Sequence, residues 1–215
     1  RAMTIAQDDA RENALVDKIL DFWFGAPGNP DQGGLDLAEY QRRQEQHRIA
    51  EIAAITDIAY FLNRAKTLYG YDDFIADTGG SLIEVIDLDD PDDPVVRSLS
   101  KHTVLLYIKG TGEDARALVE RYEKAPKPMY YRPELLVRKW EEFKKLNHIK
   151  NDRDVDPTRF AVWGFEAILH DRLPRYQALA DRNGYVVDAA ELASVRDNND
   201  FLSLMQKAIS KRKAG

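Results

Sequence analysis

The sequence predicts an α/β protein that is rich in helices and contains a parallel sheet. Two short apolar runs carry this prediction, at residues 73–77 (DFIAD) and 104–108 (VLLYI), because each ends at a glycine turn and leads into a helical segment. Strands of a parallel sheet are buried on both faces and therefore read as short apolar runs. Strand and helix alternating along the chain is the order that crossover connections produce. Tyr185–Val187 is predicted to form a third strand.

Seven helices are predicted between and around these strands, most of them from apolar residues at helical spacing, whereas the helix at 37–54 is polar in its centre and must lie on a surface or bind something. They lie at residues 8–24, 37–54, 57–69, 113–123, 133–146, 157–170 and 199–211. Ala26–Gly34 (APGNPDQGG) holds two prolines and three glycines, so it is predicted to be a turn-rich loop. Gly70 is predicted to end the helix that precedes it, and Pro157 to begin the helix that follows it.

Composition excludes several classes of protein. Hydrophobic residues make up 44% and charged residues 32% of the 215 residues, which is ordinary for a globular chain and not for a disordered one. No apolar run is long enough to cross a membrane, and the net charge of −6 argues against a broad nucleic-acid surface. The chain has no cysteine, which excludes disulfides and thiolate metal sites and fits a reducing cytoplasm. We therefore expect a cytoplasmic protein without nucleic-acid or membrane partners.

The first candidate site is the segment Asp77-Thr78-Gly79-Gly80-Ser81, which follows a predicted strand. Ligands of open α/β sheets bind beyond the carboxyl ends of the strands, and glycines let the backbone approach them closely. An aspartate at this place can hold a magnesium-bound water or accept a proton. The alternative is structural: the glycines make a tight turn and Asp77 caps the next helix.

The second candidate site is the segment 124–133 (KAPKPMYYRP), which lies between two predicted helices. The guanidinium of Arg132 can contact phosphate oxygens through two parallel hydrogen bonds, and Lys127 can meet them as a point charge. The alternative is a solvated loop whose tyrosines pack on the core.

Two further features favour a structural reading. Pro174 is predicted to lie near a helix boundary, and the acidic residues between Glu84 and Asp93 are predicted to form a solvated loop, since they lack the EF-hand pattern.

Taken in order, these motifs resemble those of small P-loop kinases of the shikimate-kinase type, from Tyr71 onward. The matching residues are Thr78-Gly79-Gly80, the strand 104–108, Arg132-Pro133, and Arg172, Pro174, Tyr176 and Ala180. From about Gly25 to its end, the chain resembles more closely a bacterial P-loop NTPase family labelled ATPase. The residues that carry this second resemblance are Pro27–Pro30, Gly33-Gly34, Gln41–Gln44, Asp77–Ser81, Pro126–Pro128 and Tyr130-Tyr131.

The resemblance implies a three-layer P-loop-kinase-like fold with a parallel sheet, in a single domain spanning residues 1–215. Within that domain, residues 1–24 are a poorly matched helix and residues 25–70 are helical. The sheet core and a lid occupy residues 71–188, and a C-terminal helix occupies residues 189–215.

The resemblance also implies nucleotide-dependent phosphoryl transfer or ATP hydrolysis by the intact protein. Asp77 would be catalytic, as a base or a magnesium ligand, and Thr78–Ser81 would contact the substrate. Lys127 would bind phosphate, and Arg132 would both bind phosphate and act in catalysis. ATP and Mg²⁺ would be the cofactors, a small molecule the substrate, and a homo-oligomer is an open possibility. The family label names no substrate.

One motif of such proteins is missing. The Walker A pattern G-x-x-x-x-G-K-[ST], whose backbone amides hold the phosphates, occurs nowhere in these 215 residues. We therefore expect the first strand and the P-loop to lie upstream, and the chain alone to bind no nucleotide and to be inactive. The alternative function is a kinase-like binding or regulatory module without catalysis.

Overall fold

The computed structural model describes residues 25–214, and the helix predicted at 8–24 lies outside them. The described chain divides into two compact units. The first takes residues 25–47 and 119–168, and the second takes residues 48–118 and 169–214. The expected single domain stays a prediction. No helix among these residues is long and apolar enough to cross a membrane.

Helices dominate the described residues. In chain order the elements are α1 Leu37–Thr56, α2 Ile58–Tyr69, α3 Leu82–Val85, α4 Pro94–His102, β1 Leu105–Lys109, α5 Gly112–Lys124, α6 Pro133–Leu146, α7 Pro157–Asn183, β2 Gly184–Asp188, α8 Ala189–Ala193 and α9 Asn198–Ala214. The helices predicted from residues 37, 57, 113, 133 and 199 are confirmed, with ends that differ by at most three residues. Gly70 ends α2 in the left-handed conformation, as the sequence predicts.

The sheet belongs to the second unit and has two parallel strands. β1 pairs with β2 in a register that runs from Leu105 opposite Gly184 to Lys109 opposite Asp188. This pairing confirms two of the three predicted strands and the helix-rich α/β class. Helix α9 covers β2, because Leu204 and Ala208 pack against Val187.

The predicted strand at 73–77 is wrong. Phe74–Ala76 belongs neither to a strand nor to a helix, and the side chain of Ile75 is 87% exposed. An apolar run becomes a strand only when a neighbouring strand accepts and donates its backbone hydrogen bonds. Within the described part of the chain, none of these three residues has a hydrogen-bond partner.

The helix predicted at 157–170 is longer than expected. It continues as α7 through Pro174 and ends at Asn183. A proline inside a helix costs about 3 kcal/mol, because a hydrogen bond is lost and the ring clashes with the preceding turn. Side chains around Pro174 offset this cost: Arg175 donates hydrogen bonds to the carbonyls of Ile83 and Ile86, at 3.1 and 3.0 Å.

The core of the first unit is aromatic. Phe160 lies at its centre, with ring centroids 5.0 Å from Trp140 and 5.4 Å from Phe143. The turn-rich loop from Ala26 to Leu35, which we call the PGNP loop, is bound to this unit through Asn29, whose N–H donates to the carbonyl of Val155 at 2.8 Å. A Cβ at Gly28 would lie only 2.6 Å from that carbonyl oxygen, so the close approach requires glycine.

Candidate functional site

The segment Asp77–Ser81 forms an exposed turn in the second unit, which we call the TGGS turn. The N–H of Gly79 donates to the Asp77 carboxylate at 3.2 Å, and Gly79 has a positive φ of 58°. Asp77 therefore stabilises the turn and does not cap α3, whose N-cap residue is Ser81. The predicted tight turn is confirmed, and the carboxylate lies on the surface.

Helix α7 contacts the TGGS turn. The Tyr176 hydroxyl donates to the carbonyl of Gly80 at 2.6 Å. A Cβ at Gly80 would lie 3.0 Å from Nη1 of Arg172 and 3.2 Å from the Tyr176 hydroxyl, so a larger residue would displace this contact. Burial raises the pKa of Tyr176, which keeps the hydroxyl protonated as a donor. Two motifs that are far apart in the sequence thus form one cluster.

A buried ion pair lies beneath this cluster. Nε of Arg172 donates to the carboxylate of Glu84 at 2.7 Å, and these residues are 9% and 3% exposed. The prediction that Glu84 belongs to a solvated loop is wrong, because it lies in α3, where its neighbours Ile83 and Val85 are also buried. Asp93, at the other end of the acidic run, is also buried and caps α4 through the N–H groups of its second and third residues. Glu84 therefore compensates the charge of the Arg172 guanidinium beneath the Tyr176–Gly80 contact.

The other predicted substrate-binding residues have different surroundings. The Ser81 hydroxyl donates to Glu51 at 2.7 Å. Thr78 is half-buried and borders a groove of about 390 Å³. The groove is mostly apolar, and the side chains that line it come from Ala54, Ile55, Ile58, Phe61, Phe74, Ile75 and Leu99 among others. Gly79 and Gly80 are the exposed residues of the turn beside Thr78.

The segment Pro126–Arg132 belongs to the first unit and is held by hydrogen bonds. The carbonyl of Met129 accepts from the Tyr40 hydroxyl at 2.7 Å and from the Gln44 amide at 3.0 Å. The N–H of Tyr131 donates to the same Gln44 side chain at 2.8 Å. Both tyrosines of the segment are buried, as the structural alternative predicts. Any lid movement of the whole segment must break these three bonds.

The predicted phosphate-binding residues lie at the two ends of this segment. Lys127 is exposed, and Arg132 is half-buried at the N-cap of α6 without a capping hydrogen bond from its side chain. Asp77 and Arg132, the two predicted catalytic residues, belong to different units. The structure therefore groups the predicted residues into two sets, the TGGS turn in one unit and the Pro126–Arg132 segment in the other.

A cavity of about 250 Å³ in the first unit was not predicted from the sequence. It is lined by Ala26, Pro27, Gln32 and Gly33 of the PGNP loop, by residues 126–129, and by Tyr40, Tyr122, Tyr131 and the start of α7 among others. Three proline- or glycine-containing motifs of this unit, Pro27–Pro30, Gly33-Gly34 and Pro126–Pro128, thus contribute to one cavity. Their proline and glycine content was the available signal, since rigid loops often border binding pockets.

Two glycine-containing segments, the PGNP loop and the start of α5, use backbone amides in hydrogen bonds within the chain. In the PGNP loop, the backbone N–H of every residue from Gly28 to Leu35 except Pro30 donates to an acceptor within the described chain. At the start of α5, the N–H and hydroxyl of Thr111 both donate to Asp114, at 2.7 and 2.8 Å. These bonds lower the pKa of the Asp114 carboxyl. The PGNP loop therefore does not resemble a P-loop in the availability of its amides.

No protein-family model, curated protein or solved structure matches this chain. Its function therefore has to be inferred from the contacts of the described residues.

Because the backbone amides of the PGNP loop donate within the chain, we predict that this chain binds nucleotide weakly. Titration calorimetry with Mg²⁺ and ATP should give a dissociation constant weaker than about 10 μM, which corresponds to about 7 kcal/mol. The reason is that triphosphate recognition depends on several backbone amides that point at the ligand. A tighter constant would mean that another phosphate site exists in this chain.

Proposed function

We propose that this chain carries the acceptor side of a nucleotide-dependent phosphoryl-transfer enzyme or ATPase with a three-layer P-loop-kinase-like fold. One observation carries the proposal: the Tyr176 hydroxyl of α7 donates a hydrogen bond to the Gly80 carbonyl of the exposed TGGS turn. The turn joins a carboxylate, Asp77, to backbone that a small molecule can approach. Phosphoryl transfer needs such positioning more than it needs covalent chemistry from the protein.

Each predicted residue then has a role that its surroundings permit. Asp77 is exposed, so its carboxylate can accept the proton of an acceptor hydroxyl or hold a magnesium-bound water. Thr78 and the two glycines bind the acceptor through the backbone. Arg132 and Lys127 neutralise phosphate charge from the proline-rich segment.

The nucleotide side of the reaction does not fit the described residues. The amides of the PGNP loop from Gly28 to Leu35 donate within the described chain, and the Walker A pattern does not occur in the sequence. The proposal therefore requires a Walker A segment supplied by residues other than these 215. That segment would bind the expected nucleotide partner, ATP with Mg²⁺.

A second candidate is a kinase-like binding or regulatory module that performs no catalysis. The bonded amides of the PGNP loop and the missing Walker A motif favour this non-catalytic candidate. The first unit would then use its cavity of about 250 Å³ to bind a small ligand. The two candidates differ in whether the protein encoded by the complete reading frame turns over ATP.

Asp77 provides the test of the catalytic candidate. In the product of the complete reading frame, Asp77→Asn should lower Mg²⁺-dependent ATP turnover by about 10²-fold or more, because a base or metal-side carboxylate is lost. Asp73→Asn is the matched control, since it makes the same change at an exposed aspartate four residues earlier and should leave turnover unchanged. Equal turnover of Asp77→Asn and wild type would remove Asp77 from the site.

A further inference from the structure

The floor of the cavity in the first unit is aromatic. Tyr40, Tyr131 and Phe160 belong to its lining and are at most 1% exposed, and Tyr122 beside them is also buried. The hydroxyls of Tyr40 and Tyr122 donate to backbone carbonyls of the segment Pro126–Arg132, so these two polar groups are already used. Burial raises the pKa of Tyr122 to about 12, which keeps its hydroxyl protonated as a donor. The floor therefore offers a ligand mainly ring surface.

The mouth of the cavity is polar. Gln32, Lys127 and Thr158 line the cavity and are exposed. Lys127 is the only charged residue among the lining residues that the structure describes, so no aspartate or glutamate of that lining repels an anion. An ammonium on a flexible four-carbon stem binds an anion as a point charge, and the Gln32 amide and the Thr158 hydroxyl are further donors. The mouth therefore favours a ligand with a single negative charge.

The size and stiffness of the cavity limit the ligand further. An apolar cavity of about 150 Å³ binds one benzene molecule, so a cavity of about 250 Å³ has room for one or two rings. A single lysine does not match the several charges of a diphosphate or triphosphate. Prolines stiffen the surrounding backbone, at Pro27, Pro126, Pro128 and Pro157. The cavity is therefore preformed for a small, compact ligand.

We propose that this cavity binds a small aromatic carboxylate, with its one or two rings on the aromatic floor and its carboxylate at Lys127. The rings supply apolar contact, and the ammonium selects the anion over a neutral analogue. This inference rests on the second candidate function, the binding module, for which it names the ligand class. Its test uses no nucleotide, so its failure is distinct from a failure of the phosphoryl-transfer proposal.

Titration of the 215-residue chain with naphthoate, followed by two-dimensional NMR, tests the ligand class. We expect a dissociation constant tighter than about 1 mM for naphthoate, and one about 5-fold weaker for naphthamide, which has the same rings without the charge. Lys127→Met should weaken naphthoate binding by about 5-fold and leave naphthamide binding unchanged. Lys124→Met is the matched control: Lys124 is exposed nearby and is not among the described lining residues, so this change should leave both constants within about 2-fold.

A second pair of variants tests the location. Ala161→Leu places a larger side chain in the lining and should weaken naphthoate binding by at least about 10-fold. Ala38→Leu, the same change at an exposed residue of α1 outside the described lining, should leave it unchanged. Circular dichroism and the melting temperature should show that both variants fold.

Three results would overturn the inference. Naphthoate that does not bind at about 10 mM would remove the cavity as a site for this ligand class. Naphthamide that binds as tightly as naphthoate would keep the cavity as a binding site and show that the class is wrong. Binding that Ala161→Leu leaves unchanged would place the ligand elsewhere.

Discussion

Replacing Glu84 by alanine should lower the free energy of unfolding by about 3–5 kcal/mol. The side chain of Glu84 is fully buried and that of Arg172 nearly so. Removal of Glu84 takes the ion-pair partner away from a buried guanidinium, which costs far more than the pair itself contributes. Urea unfolding followed by circular dichroism measures this loss.

Two controls separate the buried charge from other effects of the substitution. Glu39→Ala removes a carboxylate that accepts from Arg42 and Arg43 on the surface of α1, so it should cost about 1 kcal/mol or less. The double variant Glu84→Leu with Arg172→Met should be more stable than Glu84→Ala, because it leaves no charge behind. A Glu84→Ala variant no less stable than Glu39→Ala would show that the ion pair is unimportant.

Replacing Arg132 by alanine should lower ATP turnover of the complete protein by about 10²-fold or more and leave the melting temperature nearly unchanged. The substitution removes a guanidinium that neutralises charge in the transition state. Mutations of such groups typically lower turnover by a factor of this size. The substitution removes no capping hydrogen bond from α6, because the side chain of Arg132 makes none. Steady-state phosphate release and thermal unfolding of the same preparations measure the two effects.

The geometry of Arg132 gives this prediction its controls. Arg132→Lys should rescue turnover only partly, because lysine cannot form two parallel hydrogen bonds with phosphate. Arg138→Ala removes an exposed arginine from the same helix and should have little effect on turnover. Unchanged turnover of Arg132→Ala, with a large loss of stability, would make Arg132 structural and would remove the main reason to regard Pro126–Arg132 as a lid.

The sequence predicts those elements that depend on local interactions. Helix α6 begins at Pro133 and ends at Leu146, as its proline start and apolar spacing indicate. The strands predicted at 104–108 and 185–187 are found because each supplies the neighbour whose backbone groups the other pairs with. Residues 73–77 have the same pattern but no strand beside them, and a strand depends on a neighbour that its own sequence does not specify.

In the candidate site too, the features that depend on local interactions are predicted and those that depend on distant residues are not. The TGGS turn is predicted because glycine and aspartate determine its shape locally. Glu84 was assigned to a loop because its partner Arg172 is 88 residues away in the chain, and no spacing rule relates the two. Its place among buried apolar residues, Leu82 to Ile86, was the signal for burial. The contact of Tyr176 with Gly80 likewise depends on tertiary packing, although both residues were noted in the motifs.

The measurement that tests the central claim most directly is phosphate release from ATP by the product of the complete reading frame, with and without Mg²⁺. If this chain carries the acceptor side of a phosphoryl-transfer enzyme, that product should release phosphate in a Mg²⁺-dependent way, and the 215-residue chain alone should not. A complete product that carries no Walker A segment and releases no phosphate above the protein-free control, with Mg²⁺ and with a range of small-molecule acceptors present, would contradict the claim.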